Sequence, residues 1–303
     1  MNYAPIVIGT YNRVEHFKKC IESLKENELA KFSTIIIGID FPIRDKDIED
    51  NHKIKEYCRN LTGFKSIIVK EWSENLGPRK NFHKLREIAF KLSDVVILTE
   101  DDNIFHPDFL SYMNFNLNKY QNDHSVFSVC GYNYPIDYKN TKSDDNILLK
   151  AYSAWGVGVW KHKFCKVEFR QDQYSCYLKS PLKILKVSRA LGDHVLYHYF
   201  QAVKKKLIYG DTWISLYMYQ NNQFSVFPVK TLVENIGNDG TGVNCSINDN
   251  LNSQKMLANN KTNNIYHNES IYHRKQINTY FRLPVKTKLK FAILLLSRFF
   301  YES

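Results

Sequence analysis

Three carboxylates stand side by side at Glu100, Asp101 and Asp102, directly after the apolar run VVILT. Adjacent carboxylates repel one another, and a chain that aims three of them out of a strand end normally offsets the repulsion with a cation. Oxygen ligands suit Mg²⁺ or Mn²⁺, which commonly take one or two carboxylates and complete their shell with substrate phosphates. The chemistry expected of this triplet is the handling of a nucleotide diphosphate through a divalent ion. A solvated acidic turn that caps the next helix is the alternative. His194 and His198, spaced four apart, could share a helix face, but without a third ligand nearby a structural role is expected for both.

The elements that must position the triplet alternate along the first half of the chain. PIVIGTY reads as a first strand, and Val14, Phe17, Ile21 and Leu24 recur at helical spacing after it. TIIIGID is a second buried strand ending at Asp40, the stretch Asp45 to Arg59 a helix, and SIIVKEW a third strand. NFHKLREIAFKL is a further helix, and DVVILTEDD a fourth strand that runs into the acidic cluster. This alternation predicts βαβ units and a mostly parallel sheet, with function at the carboxyl ends of the strands. A helix from near Pro107 and a strand SVFSVCGYN follow. The second half is less regular, with AYSAWGVGVW, a basic segment, GDTWISLYMYQ and a strand-like FSVFPVKTLVENIG. The Asn/Asp/Gly-rich residues 235–264 read as a loop or lid.

A chain of 303 residues can bury one large α/β core, and 44% hydrophobic with 24% charged residues is ordinary for a folded protein. The net charge of +11 is uneven. Lys161 to Lys206 carries eleven basic residues against Glu168, Asp172 and Asp193, and Arg274 to Ser303 carries seven against Glu302 alone. The last stretch combines its basic residues with the apolar run Phe291 to Leu296 and with Phe299, Phe300 and Tyr301. That run is far shorter than the roughly 20 residues of a spanning helix. It fits an interfacial helix drawn to anionic lipid, or a helix docked on the domain. No motif supports nucleic-acid binding, and the six cysteines lack metal-site spacing. The opening MNYAPIVIGTYN lacks the pattern of a secretory signal, which points to the cytoplasm and free thiols.

Six blocks occur in order: PIVIGTYNRVEHFKKCIESLKEN, IGIDFP, SENLGPRKNF, VVILTEDDNIFHPDFLSYMNFNL, SAWGVGVWK and DTWISL with FPVKTLVENIG. Together they resemble bacterial family 2-like glycosyltransferases of polysaccharide clusters, and more distantly the eukaryotic N-acetylglucosaminyltransferase that begins complex N-glycans. The resemblance covers most of Pro5 to Gly237. It implies a GT-A type α/β fold with a mixed, mostly parallel sheet flanked by helices. A nucleotide-binding half (1–133) and an acceptor and sugar half with its loop (134–270) would be followed by a basic, apolar helical tail (271–303).

The same resemblance implies roles by position. Glu100-Asp101-Asp102 looks like the family's variant of the DXD motif, with Asp102 holding Mn²⁺ or Mg²⁺, Asp101 near the ribose and Glu100 near a donor-sugar hydroxyl. Thr10, Asn12 and Arg13 fall where the family's nucleotide lies. Asp40 matches an acid that contacts uracil, which favours a UDP-sugar donor. Arg79 and Lys80 fall where relatives contact the donor diphosphate, or are ordinary first-turn helix residues. Trp155 and Gly156 resemble a stretch lining the sugar pocket, whereas Trp160 and Trp213 are expected in the core. Asp211 matches the base that takes the acceptor proton in an inverting transfer, a role compatible with N-capping of TWISLYMYQ. One departure is Gly240-Thr241-Gly242 where many relatives carry Gly-Thr-His, so Asp102 is expected to be the sole protein ligand.

The implied activity is sugar transfer from a UDP-sugar to a glycan acceptor, possibly lipid-linked, in bacterial capsule, O-antigen or lipooligosaccharide synthesis. The implied place is the cytoplasm, with an anionic membrane surface as a further partner. Two alternatives stand beside it. A sugar-nucleotide nucleotidyltransferase would be expected to open with a Gly-rich phosphate loop, but VIGTYNR holds only Gly9. A non-catalytic glycan-binding or assembly subunit would have no need of the carboxylates in EDD and DTW.

Overall fold

The computed structural model describes residues 3–240, 256 and 265–301, the last six as helical backbone. Four parallel strands, β1 (Ile6–Thr10), β2 (Thr34–Ile39), β3 (Ser66–Glu71) and β4 (Val95–Glu100), alternate with helices α1 (Val14–Lys25), α2 (Asp45–Arg59) and α3 (Gly77–Leu92). In β1, β2 and β4 nearly every residue is buried, as β-branched runs covered on both faces must be. Helix α1 buries Val14, Phe17, Ile21 and Leu24 along one face, as their spacing requires. Helix α3 begins four residues before the apolar pattern suggests, because Gly77 adopts φ +68° and Pro78 sets the first turn.

After β4 come β5 (Asn103–Phe105), α4 (Phe109–Lys119), β6 (Val126–Cys130), β7 (Asn146–Leu149) and β8 (Val157–Trp160). The basic stretch folds into α5 (Lys161–Phe164), α6 (Pro181–Leu191) and α7 (Asp193–Lys204), followed by α8 (Gly210–Gln220). The chain closes with β9 (Phe224–Pro228), β10 (Val233–Asn235), β11 (Tyr266–Asn268), α9 (Ile271–Tyr280) and α10 (Val285–Tyr301). Among the described residues the main sheet has nine strands in the order β11-β7-β9-β6-β8-β4-β1-β2-β3. Five of its eight neighbouring pairs are parallel, and the antiparallel ones all involve β7 or β8.

FSVFPVKTLVENIG is two strands rather than one. Pro228 cannot donate to a ladder and ends β9. Beyond it β10 leaves the main sheet and pairs antiparallel with β5, setting Asn235 opposite Asn103. Helices α6, α7 and α8 enclose a second apolar cluster of Tyr174, Val187, Leu196, Tyr199, Trp213 and Leu216. Phe291 and Leu295 of α10 belong to it, so the basic C-terminal helix docks on the domain. Two such side chains contribute about 1.5–3 kcal/mol each on burial, enough to hold a helix in place. No helix of the described residues is long and apolar enough to cross a membrane.

Close approach of α3 to the sheet depends on glycine. Asn81 donates from Nδ2 to the Gly38 carbonyl at 3.1 Å and accepts at Oδ1 from Trp72 Nε1 at 2.8 Å. A Cβ at Gly38 would lie 2.4 Å from Asn81 Oδ1 and 2.6 Å from Leu85 Cδ1. Gly38→Ala is expected to destabilise the protein by about 1–3 kcal/mol through overpacking. Urea unfolding measures it, and an unchanged midpoint would show that α3 shifts freely.

Candidate active site

Parallel register brings the acidic strand end level with its neighbours. Gly9 of β1 pairs with Glu100 of β4 and with Gly38 of β2, and Thr10 pairs with Ile39. The Asp40 amide donates to the Thr10 carbonyl at 2.9 Å, so Thr10 to Arg13, Asp40 and Glu100 to Asp102 share one edge. A switch in strand direction lies immediately beside them, where β8 runs antiparallel to β4.

The cation that this edge demands is already present in part as Arg13. Its Nη2 donates to Asp101 Oδ1 at 2.5 Å and its Nη1 to Asp102 Oδ2 at 2.9 Å. Thr10 Oγ1 donates to the other Asp101 oxygen at 2.8 Å, so Thr10 and Arg13 hold the two Asp101 oxygens with one partner each. Burial works against the Arg13 charge, and the two carboxylates more than offset it. Burial raises Asp101 above the usual carboxylate range, with Arg13 acting in the opposite direction. The guanidinium fork thus does for two acids what the sequence assigned to a metal alone.

Asp102 keeps acceptor capacity. Its Oδ1 accepts from Asn235 Nδ2 at 2.8 Å and its Oδ2 from Arg13, one partner for each oxygen. A carboxylate offers about four acceptor positions, so two stay open. Asn235 is held in turn by the Gly237 amide at 2.9 Å, and the Ile236 amide donates to the Asp102 carbonyl at 2.8 Å. A Cβ at Gly237 would lie 2.1 Å from Asp102 Oδ2, so only glycine fits against the carboxylate. Among the described residues no group of three His, Cys, Asp or Glu converges as a metal cage. Asp102 therefore fits a divalent ion held by one carboxylate and completed by phosphate and water. Thr241 and Gly242, where a second ligand was sought, lie outside the described residues, as do most of residues 235–264 and Cys245.

Glu100 points to the other side of the strand end. Its Oε2 accepts from Trp155 Nε1 at 3.1 Å, and burial, helped by Asp102, Asp211 and Asp101, pushes it up to about 8. Trp155 leads into a cavity of about 280 Å³. A chain of rings forms one side: Trp155 meets Tyr132 edge-on at 4.6 Å, Tyr134 meets Phe281 at 4.9 Å, and Phe281 stacks on His194 at 4.3 Å. Asp211 lies in the same cavity, and no donor among the described residues hydrogen-bonds to its carboxylate. Its surface is exposed to the cavity, yet the protein crowded around the opening pushes it up to about 6. Gly156 holds φ +68° with Phe109 and Val233 where its Cβ would be, which turns Trp155 toward Glu100.

The remaining candidates from the sequence fall around this edge and in the core. Asp211 is the second residue of α8, after Gly210, and makes no cap. His194 and His198 line the cavity beside Asp211, with His194 stacked on Phe281. Trp160 and Trp213 are fully buried, with Trp213 Nε1 donating to the Arg170 carbonyl at 2.8 Å. Asn12 faces Asp47, donating at 2.8 Å, together with Tyr11 and Arg44. Those bonds, Arg44 first, push Asp47 down to about 2. Asp40 Oδ1 accepts from the amides of Phe41 and Leu76 at 3.0 and 2.8 Å and joins two loops at the edge. Arg79 and Lys80 are exposed on the first turn of α3, and among the described residues no carboxylate pairs with them. Asp47, Asn235, Tyr132, Tyr134 and Phe281 carried no signal of their own in the sequence.

A parallel sheet whose strand ends converge on acids beside a change of strand direction defines an α/β enzyme with its ligands outside those ends. A family model described as glycosyl transferase family 2 matches residues 6–207, and the chain belongs to that family. No curated protein sequence matches it. Similar solved structures include the mannosyltransferase PcManGT from Pyrobaculum calidifontis in complex with GDP-Man and Mn²⁺, at 14% identity and TM-score 0.38, covering 53% of this chain and 46% of that one. S. aureus TarS matches at 13% identity and TM-score 0.43, over 78% of this chain and 37% of its own. Mouse xyloside xylosyltransferase 1 matches at 9% identity and TM-score 0.38, over 74% and 83%. The chain thus spans less than half the length of the first two.

The raised Asp211 carboxyl has a consequence for stability. A group lifted from 3.8 to about 6 holds its proton more tightly in the folded state, so its ionisation costs stability as pH rises through that window. Asp211→Asn removes the cost. The variant is expected to melt roughly 2 °C or more above the wild type near pH 8, with the gap closing as pH falls below about 5. Thermal unfolding against pH tests this, and a gap that does not change with pH would contradict it.

Proposed function

We propose that this glycosyltransferase moves a sugar from a UDP-sugar to a hydroxyl of a glycan acceptor with inversion, in the synthesis of a bacterial surface polysaccharide. The observation that carries the reading is the division of acids along one edge. Asp102 keeps open acceptor positions beside Arg13, and Asp211 stands without a hydrogen-bond partner among the described residues in an aromatic cavity on the far side of Glu100. The first group suits a charged leaving group and the second a proton transfer.

Asp102 would hold Mn²⁺ or Mg²⁺, which supplies neutralisation of the charge that develops on the departing diphosphate. Arg13 adds fixed positive charge at the same place and needs no reorganisation. Arg79 and Lys80, exposed on the first turn of α3, are the further candidates for the diphosphate. Asp40 and Asn12 carry the nucleoside side, with Asp47 bracing Asn12. Thr10 holds Asp101 oriented toward the ribose. Glu100, braced by the Trp155 indole, accepts or donates to a hydroxyl of the donor sugar, and Gly156 keeps the backbone clear of it.

In the acceptor step a hydroxyl oxygen attacks the anomeric carbon from the face opposite the phosphate. Its proton passes to Asp211, the new O–C bond forms, and the C–O bond to the diphosphate breaks with its electron pair leaving on UDP. No covalent sugar-enzyme intermediate is required. Trp155 and Phe281, half-buried in the cavity wall and backed by the buried Tyr132 and Tyr134, offer ring surface to the apolar faces of a sugar. Free thiols at the described cysteines are in keeping with a reducing cytoplasm, where a lipid-linked acceptor would be met at the membrane face.

Asp102→Ala is expected to lower divalent-stimulated donor hydrolysis and transfer by at least about 100-fold. Asp211→Asn is expected to keep donor binding within about twofold while transfer falls by roughly 10²–10⁴. In the wild type the rate is expected to rise with pH up to about 6 and then level off, because the base acts ionised. Steady-state kinetics with nucleotide-binding titrations measures these effects. Full turnover by Asp102→Ala, or transfer retained by Asp211→Asn, would remove the respective role.

A further inference from the structure

Helix α10 buries one face and leaves the other without cover. Phe291 and Leu295 are 8% and 6% exposed, and Phe291 packs on Tyr197 and Phe200 of α7 at 5.6 and 5.4 Å. Val285, Leu289 and Ile293 are 66%, 60% and 65% exposed on the same helix. They are four residues apart, and at 3.6 residues per turn each step rotates by only about 40°, so the three form one outward stripe. Aliphatic side chains left in water forgo the free energy of burial, a loss that a continuous stripe repeats three times.

Charge identifies what the stripe faces. On the helical wheel Lys286 and Lys290 flank it on one side, both exposed, and Lys288 flanks it on the other. Lys288 is paired with Asp193 at the start of α7, which also accepts from the Leu283 amide at 3.2 Å and pins the helix in orientation. An apolar stripe between lysines matches the boundary of an anionic bilayer, where acyl chains lie beneath phosphate headgroups. Lysine stems can run along apolar surface while their ammonium groups reach the headgroups. A protein partner would be expected to meet a stripe with acids and apolar groups of its own, and this face shows none of the donor and acceptor variety of such interfaces.

We propose that the outer face of α10 docks this glycosyltransferase on an anionic membrane surface. The proposal rests on the reading of the acceptor as lipid-linked, and it assigns that reading an element. Helix α9 leads directly into α10, and its buried Ile277, with Phe281 after it, lines the cavity that holds Asp211. The helix that meets lipid is therefore continuous in sequence with a wall of the acceptor cavity. A membrane-bound acceptor would be brought to Asp211 without the protein crossing the bilayer.

Truncation would remove Phe291 and Leu295 and uncover the apolar cluster they pack on, so the test uses surface substitutions in the full chain. Co-sedimentation is measured with vesicles of phosphatidylcholine alone and with vesicles containing phosphatidylglycerol. The wild type is expected to bind the anionic vesicles, to release them in high salt and to bind neutral vesicles weakly. Leu289→Glu with Ile293→Glu, and separately Lys286→Glu with Lys290→Glu, are expected to weaken binding roughly tenfold or more. Both variants are expected to keep the wild-type melting temperature and transfer to a water-soluble acceptor. A wild type that stays in the supernatant, or variants that bind anionic vesicles as well as it does, would overturn the proposal. So would a concentration-dependent dimer abolished by Leu289→Glu, since the stripe would then face a second copy. Absence of transfer in every form, with vesicle binding intact, would instead count against the catalytic reading alone.

Discussion

Like charge crowded at one strand tip governs the design of this protein. Three adjacent acids cannot share a partly buried edge unless positive charge or protonation relieves them. Each is relieved differently. Asp101 is taken up by Arg13 and Thr10, Asp102 shares Arg13 with Asn235, and Glu100 is pushed up to about 8 beside the Trp155 indole. The outcome is a graded edge. Two acids share one guanidinium and keep acceptor capacity, and one favours its neutral form next to the cavity.

That gradation explains why distant parts of the chain converge here. The level register of β1, β2 and β4 supplies Thr10, Arg13 and Asp40, and is fixed by local β-branched runs. Asn235 arrives only because Pro228 ends β9 and releases β10 to pair with β5. Gly237 then permits an approach to Asp102 that any side chain would block. The helical layer brings Asp211, His194 and Phe281 around the opposite side, so a single edge has a charged half and an aromatic half. Chemistry that separates a diphosphate from a sugar and deprotonates a hydroxyl needs both halves next to one another.

How much of this was legible in the sequence follows from the range of the interactions. Strands β1, β2 and β4 and helix α1 could be read because burial on both faces or on one stripe leaves a local period in the chain, whereas β3 was read from its short apolar run and α2 from its charged stretch. The acidic triplet was legible for the same reason. Its neutralisation by Arg13 was not, because 88 residues separate Arg13 from Asp101 and nothing local marks the pair. Asn235 and Phe281 were hidden likewise, each polar or aromatic residue being one of many. His194 and His198 were legible as a helical pair, but their facing was decided by Phe281 and by the packing of α9. Asp211 was noticed through family likeness, and its place as second residue of α8 rather than its cap shows how little a phrase says about geometry. The C-terminal helix divided the same way: its amphipathic composition was visible, whereas which apolar residues turn inward depended on α7.

The central claim is that the open acceptor positions of Asp102 grip a diphosphate through a divalent ion. Calorimetric titration of the wild-type protein with UDP, in Mn²⁺ and again in a chelator, tests it most directly. The account requires tight binding with Mn²⁺ and a loss of roughly tenfold or more in affinity without it. Equal affinity in the two titrations would mean that Arg13 and its neighbours bind the nucleotide unaided, and the role given to Asp102 would be wrong.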